Sequence, residues 1–70
     1  MLTLTKERQA AGLTRARLGG LANVHPSRVG QIENKRVVPY PVELARIAAA
    51  LQFAGDPNEL LKAVGDEPAA

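Results

Sequence analysis

The sequence predicts an all-α fold of five short helices. The hydrophobic residues are mainly Ala, Leu and Val, and the only aromatic residues are Tyr40 and Phe53. Such small aliphatic side chains suit closely packed helices, whereas β-sheets favour β-branched and aromatic residues. Apolar residues recur at helical spacing, and no segment alternates as a strand does. With 70 residues we expect one domain over residues 1–65 and a flexible tail over 66–70.

The first helix is predicted over residues 4–11, between two capping signals. Thr3 or Thr5 is expected at its start, because a threonine oxygen can accept a hydrogen bond from a free backbone N–H. Gly12 follows its end, since glycine readily adopts the left-handed conformation that terminates helices.

The second and third helices are predicted over residues 15–22 and 26–34, with a very short link between them. Thr14 caps the second helix, and His25 lies at the cap of the third, whose first residue is a proline. A link of residues 23–25 forces the two helices to cross sharply, which is the geometry of a helix-turn-helix.

Close packing is expected between these two helices. Gly19 should lie on the inner face of the second helix, where the neighbouring backbone approaches closely. Val24 should fill the corner. The other apolar contacts are expected from Leu18, Leu21, Val29 and Ile32.

Prolines delimit the remainder of the chain. Pro39 and Pro41 exclude helix from the connector that follows the third helix. The fourth helix is predicted from Pro41 to Leu51. Its buried stripe, at helical spacing, is Leu44, Ile47, Ala48 and Leu51. A fifth helix is predicted over residues 57–64 behind the cap Asp56. It should bury Leu60, Leu61 and Val64.

The charge is unevenly distributed along the chain. Residues 1–40 contain seven basic and two acidic residues, a net charge of +5, whereas residues 41–70 have a net charge of −3. A basic half is expected of a surface that binds phosphate groups, although a random surface distribution is the alternative. The scarcity of aromatic residues argues against single-stranded nucleic acid, which usually stacks on aromatic side chains.

The composition argues against several other classes of function. The chain has no cysteine and one histidine, so we expect no disulfide, no bound metal and no cofactor. His25 has no nucleophile or paired carboxylate nearby in the sequence, and we therefore expect no enzyme. Neither a signal peptide nor a membrane-length apolar run is present, which predicts a cytoplasmic protein without membrane contact. No small-molecule effector site is evident.

The stretch AGLTRARLGGLANVHPSRVGQIENKRVVPYP, followed by LARIAAAL, resembles the Cro/repressor-type (XRE) helix-turn-helix proteins of phages and bacteria. The pattern combines Ala11-Gly12-Leu13-Thr14, Leu18 followed by small residues, Ile32-Glu33-Asn34 and Pro39. The resemblance covers residues 4–51. It implies a lambda-repressor-like fold with its helix-turn-helix at about residues 15–33.

The same resemblance implies a sequence-specific regulator that binds double-stranded DNA. Such a protein would act as a repressor and bind a pseudo-palindromic operator as a homodimer. The alternative is an antitoxin or adaptor whose helix-turn-helix mainly binds a protein partner.

Five positions depart from the family pattern. Asn23 and Lys35 stand where glycine is usual, and Tyr40 replaces a serine cap. Gly19 and Gly20 replace an alanine and a polar residue. Each glycine should lower the stability of the helix by about 1 kcal/mol relative to alanine in a helix interior. We expect these departures to alter the connector rather than the fold class.

The resemblance places base-reading side chains at Pro26, Ser27 and Gln31, with Arg28 close by. Gln31 can pair with adenine and Arg28 with guanine, so these two are the predicted main readers. Ser27 can hydrogen-bond weakly to a base, and Pro26 can at most touch a thymine methyl. The alternatives are an exposed helix position for Gln31 and a phosphate contact for Arg28.

Other basic residues are predicted to contact phosphates. Arg15 and Arg17 lie in the first turn of a helix, where positive charge opposes the helix dipole. This placement fits a helix end that lies over a phosphate, or else a solvated charged turn. Lys35 and Arg36 follow the third helix directly. The full predicted set is Arg15, Arg17, Lys35, Arg36, Thr14 and His25.

Two further pairs are assigned structural roles. The resemblance implies a partly buried ion pair between Arg8 and Glu33, which would join the first and third helices. Phe53 and Ala54 are candidates for a dimer surface, because Phe53 is the one large aromatic residue available as an anchor. The alternative is that Phe53 closes the core.

Overall fold

The structure is a computed structural model that describes residues 1–64. The chain forms four α-helices and a 3₁₀ helix, which are α1 (Thr3–Ala10), α2 (Arg15–Ala22), α3 (Pro26–Glu33), α4 (Pro41–Ala50) and the 3₁₀ helix Pro57–Leu61. The predicted all-α class is confirmed, and in the described part of the chain the only β pairing is an isolated bridge between Leu2 and Ala63. The predicted tail at 66–70 lies outside the described residues.

A single core joins all five elements. The helix α2 is central, since it packs against both α3 and α4, while the 3₁₀ helix packs against α1 and α4. Each element contributes at least one fully buried side chain, and the largest are Leu4, Leu18, Val29, Ile32, Ile47 and Leu60. The short helices are therefore held mainly by their shared apolar contacts.

The start of α1 differs from its prediction. The helix begins at Thr3 with Leu2 at its N-cap, and no side chain caps it. The backbone N–H and the hydroxyl of Thr3 both donate to the carbonyl oxygen of Lys62, at 2.7 Å and 2.9 Å. The expected cap by Thr3 or Thr5 is therefore wrong, because a distant segment of the chain satisfies the free N–H.

The predicted fifth helix is present but shorter than expected. The segment is a 3₁₀ helix that ends at Leu61, and the backbone of Lys62 is already extended. Ala63 pairs with Leu2, and the N–H of Val64 donates to the carbonyl of Met1 at 2.9 Å. Because these backbone groups pair with the N-terminus, they are not available for a further helical turn. Of the expected side chains, Leu60 is buried and Leu61 and Val64 are half-buried.

The turn between α2 and α3 depends on a close backbone approach. Asn23 adopts the left-handed conformation, with φ 57° and ψ 45°, and the N–H of Val24 donates to the carbonyl of Gly19 at 2.8 Å. A Cβ atom at Gly19 would overlap the carbonyl oxygen of Val24 and lie 3.3 Å from the nitrogen of Pro26. The predicted position of Gly19 on the inner face is confirmed, and so is the buried corner position of Val24.

One expected core residue lies on the surface. The side chain of Leu21 is 57% exposed, so its predicted contact with α3 is wrong. The inner face of α2 is formed by Leu18, Gly19 and Ala22. At 100° per residue the centre of this buried face lies roughly 105° from Leu21, which is therefore at the flank of the helix.

The two adjacent glycines of α2 should respond in opposite ways to alanine. Gly19→Ala should lower the free energy of unfolding by about 1–3 kcal/mol, because the new Cβ overlaps backbone. Gly20→Ala should raise it by about 1 kcal/mol, since no atom lies within 4 Å of a Cβ at that position and alanine favours helix. Urea denaturation followed by circular dichroism measures both, and a loss of stability at Gly20 would contradict the packing described.

Candidate nucleic-acid interface

The helix α3 presents two polar side chains on one face. Ser27 and Gln31 are exposed, whereas Val29, Gly30, Ile32 and Glu33 are buried. Residues four apart lie on the same side of a helix, one turn from each other. Ser27 and Gln31 therefore share the face that α3 turns to solvent, with the exposed Pro26 at its start.

The start of α3 is capped by histidine. The Nδ1 atom of His25 accepts a hydrogen bond from the backbone N–H of Ser27 at 3.1 Å, and the Ser27 hydroxyl lies 2.8 Å from the same atom. Because Nδ1 is the acceptor, the neutral ring carries its proton on Nε2. The exposed ring therefore has one N–H donor left for an external acceptor.

The start of α2 has a side-chain cap and an exposed cation. The hydroxyl of Thr14 accepts from the backbone N–H of Arg17 at 3.0 Å, so the predicted cap is present. Arg17 is exposed in the first turn. Its charge adds to the positive end of the helix dipole, and this end of α2 consequently favours an anion.

Two more cations follow α3 in a tight turn. The N–H of Lys35 donates to the carbonyl of Ile32 at 3.0 Å, and that of Arg36 donates to Gln31 at 2.8 Å. Lys35 has a φ of 62°, the left-handed conformation that glycine adopts most readily. Both side chains are exposed next to the C-terminal end of α3.

A buried carboxylate joins three segments behind α3. Glu33, whose side chain is 1% exposed, accepts from Arg8 Nε at 2.7 Å and Nη2 at 3.2 Å, and from Arg15 Nε at 2.8 Å. Arg8 also donates through Nη1 to the carbonyl of Leu13 at 2.8 Å. This cluster ties the end of α3 to α1 and to the first residue of α2.

Arg15 lies across α3 to reach this carboxylate. A Cβ atom at Gly30 would lie 3.5 Å from Arg15 Nη1, so the guanidinium passes directly over the glycine. Only Nε is used on Glu33, and 47% of the Arg15 side chain stays exposed. Sequence reasoning missed this contact, because no local pattern connects residues that are eighteen positions apart.

A second ion pair joins α3 to α4. Arg28 donates through Nε and Nη2 to the two carboxylate oxygens of Glu43, at 2.8 Å and 2.9 Å. Glu43 Oε1 also accepts from the backbone N–H of Tyr40 at 2.8 Å, as in one half of a capping box. The Arg28 guanidinium lies 5.3 Å from the centre of the Tyr40 ring, within cation–π range.

This second pair changes the titration of its members. The hydrogen bonds from Arg28 and from the backbone of Tyr40 lower the pKa of Glu43 below its ordinary value of 4.5. The hydrogen bond to Glu43 raises the pKa of Arg28. Sequence reasoning considered Arg28 only for DNA contact and did not consider Glu43. The position of Glu43, three residues after Tyr40, is a recognisable capping signal.

The apolar residues named as a dimer surface follow the end of α4. Phe53 is half-buried against the core and Ala54 is exposed. The structure also exposes three large apolar side chains that sequence reasoning did not assign to a surface, Val38, Tyr40 and Val42, at 59–79%.

Residues 1–64 contain neither a candidate metal site nor a helix that could span a membrane. No group of histidine and acidic side chains among them could hold a metal ion. None of the helices described there is long and apolar enough to cross a membrane.

Comparison with known families identifies this architecture. The model of a family described as a helix-turn-helix domain matches residues 2–61. Since that range is most of the chain, the protein belongs to this helix-turn-helix family, which is related to the Cro/repressor-type domains. Comparison with curated proteins and with solved structures gave no match. The helix-turn-helix indicates a DNA-binding regulator.

Removing the buried charge of Glu33 should destabilise the fold strongly. The Arg8 side chain is only 11% exposed, and Glu33→Gln leaves its guanidinium without a counter-charge. Loss of one partner of a buried pair costs about 3–5 kcal/mol. Arg15→Gln is the matched control, because Glu33 keeps Arg8 and the half-exposed pair that is lost is worth about 1 kcal/mol or less. Equal losses in urea denaturation would contradict the assigned geometry.

The Arg28–Glu43 pair should give the protein a specific acid sensitivity. Because the pKa of Glu43 is lowered in the folded state, its contribution to stability is complete above the ordinary value of 4.5 and disappears as the pH falls through the folded pKa. Thermal unfolding of wild type and Glu43→Gln should therefore differ at neutral pH and converge below pH 4.5. A difference that is independent of pH would exclude this ion pair.

Proposed function

We propose that this protein is a sequence-specific transcriptional regulator of double-stranded DNA, a repressor that occupies a pseudo-palindromic operator as a homodimer. The observation that carries the proposal is the exposed face of α3, where Ser27 and Gln31 stand one turn apart in a helix-turn-helix. Basic side chains precede and follow this face.

Base recognition is assigned to the start and middle of α3. In this class of domain the N-terminal part of the second helix enters the major groove. Gln31 has the amide that can pair with both hydrogen-bonding atoms of an adenine edge, and Ser27 can contact either kind of base pair. Pro26, which has no N–H, is assigned an apolar contact with a thymine methyl.

Phosphate contacts are assigned to the residues around α3. Positive charge for two stretches of the DNA phosphate backbone comes from two places. One is the N-terminal end of α2 with Arg17, and the other is the exposed pair Lys35 and Arg36 after α3. His25 offers its Nε2 donor, and the half-exposed Arg15 retains N–H groups that Glu33 does not use. Thr14 contributes its hydroxyl. Contacts of this kind fix the register of the protein on DNA, while base contacts give specificity.

Dimerisation is assigned to the surface that includes Phe53 and Ala54. A single domain with one eight-residue recognition helix makes few base contacts. A two-fold dimer doubles them over half-sites about one helical turn apart. Ala54 is exposed beside the half-buried Phe53, and a partner could therefore cover both without a change of the core.

The wild-type chain should protect a two-fold site in a footprint of the DNA next to its own gene. Gln31→Ala should reduce discrimination at one base pair of each half-site by about 1–3 kcal/mol, because the amide that reads adenine is lost. Selection from a randomised duplex library, followed by titration of single-base variants, measures this loss.

Arg17→Gln is the control for the base-reading assignment. It should weaken binding to all sequences alike and reduce the slope of log affinity against log salt by about 1, because one phosphate contact is removed. An unchanged base preference after Gln31→Ala would contradict the role of Gln31 in base recognition. Binding that is insensitive to salt would remove the proposed function.

A further inference from the structure

Arg28 is held away from the face of α3 that is assigned to base recognition. It is the only cation of the helix and adjoins Ser27. Only 29% of its side chain is exposed, whereas Ser27 and Gln31 both belong to the exposed residues. Its Nε and Nη2 atoms donate to Glu43, and its guanidinium lies against the ring of Tyr40. The donors of one edge of the guanidinium are therefore already occupied.

Glu43 is itself fixed in this position. Its Oε1 accepts the N–H of Tyr40, the residue before α4, and its charge lies in the first turn of that helix, where the dipole favours an anion. The lowered pKa keeps the carboxylate ionised at neutral pH. To contact a base through its Nε and Nη2 donors, Arg28 must give up two charge-assisted hydrogen bonds to a carboxylate that is fixed in place.

We infer that Glu43 is a specificity-determining residue, which withholds Arg28 from guanine and leaves base recognition to Gln31 and Ser27. The inference rests on the proposed function, because it concerns how the same α3 reads DNA. An arginine can grip a guanine edge through two donors, and such a contact is among the strongest in base recognition. A carboxylate that engages the Nε and Nη2 donors and keeps the guanidinium beside the Tyr40 ring opposes such a contact. It therefore narrows the set of base sequences that the protein selects.

The test is a double-mutant cycle of wild type, Glu43→Gln, Arg28→Gln and the double variant. Glutamine at 43 retains an oxygen for the N–H of Tyr40 but loses the charge that holds Arg28. Each variant is first checked for folding by circular dichroism. Its affinity and base preference are then measured on duplexes selected from a randomised library, at two salt concentrations.

Glu43→Gln should bind about tenfold more tightly to duplexes that have a guanine at one added position in each half-site. The double variant should lose this gain, and Arg28→Gln should cost much less in the wild-type background than in the Glu43→Gln background. The effect of Glu43→Gln on affinity in the Arg28→Gln background measures the removal of a negative charge without any release of Arg28. Glu59→Gln, on the 3₁₀ helix, is the control for net charge.

Several results would overturn the inference. If Glu43→Gln gains no guanine preference, or gains it equally in the double variant, Glu43 does not restrain Arg28. If Glu43→Gln instead loses an existing guanine preference, Glu43 orients Arg28 for reading rather than withholding it. If the Nε–H of Arg28 in the free protein shows the same proton exchange by NMR in wild type and Glu43→Gln, the ion pair is absent in solution.

The proposed function fails separately from this inference. A wild-type chain that does not bind duplex DNA would overturn the function itself. If the wild-type chain binds duplex DNA and Glu43→Gln has the same base preference as wild type, only the role of Glu43 is overturned.

Discussion

The carboxylate of Glu33 is the constraint on which the position of the recognition helix depends. It lies at the end of α3, almost fully buried, and receives hydrogen bonds from Arg8 in α1 and Arg15 at the start of α2. A buried charge is tolerated only when partners compensate its lost hydration. The three segments must therefore stay together for the charge to remain inside. The carboxylate fixes α3 against α1 and α2 in a way that apolar contacts, which have no direction, do not.

The other end of α3 is held by a second acidic residue. Glu43 grips Arg28 near the first turn of α3 and caps the start of α4 with the same carboxylate. An eight-residue helix is not stable alone in water. Its orientation is therefore set by the core and by the hydrogen-bonded ion pairs of Glu33 and Glu43. The consequence for DNA binding is that α3 carries few free charges. The cations assigned to phosphates lie mainly outside it, at Arg17, Lys35 and Arg36.

Much of the architecture could be predicted from local chemistry. The caps Thr14 and His25, the left-handed Asn23 and the close approach at Gly19 all follow from the properties of single residues at helix ends. Two of the errors, the cap of α1 and the end of the fifth helix, share one cause. The start of α1 pairs with the carbonyl of Lys62, 59 positions away, and the same pairing ends the 3₁₀ helix early. Neither partner has a signal for this pairing in its own neighbourhood.

By itself, the sequence determined the helices, the sharp turn and the polar face of α3, because capping, helical period and a three-residue link act over a few residues. The tertiary structure decided which charges remain available. Arg15 and Arg28 looked like free cations in the sequence, but folding brings each to a glutamate, Glu33 and Glu43, 18 and 15 residues away. Electrostatic pairing depends on distance in space rather than along the chain. Only the packed helices can therefore separate the charges that stabilise the fold from those that face outward.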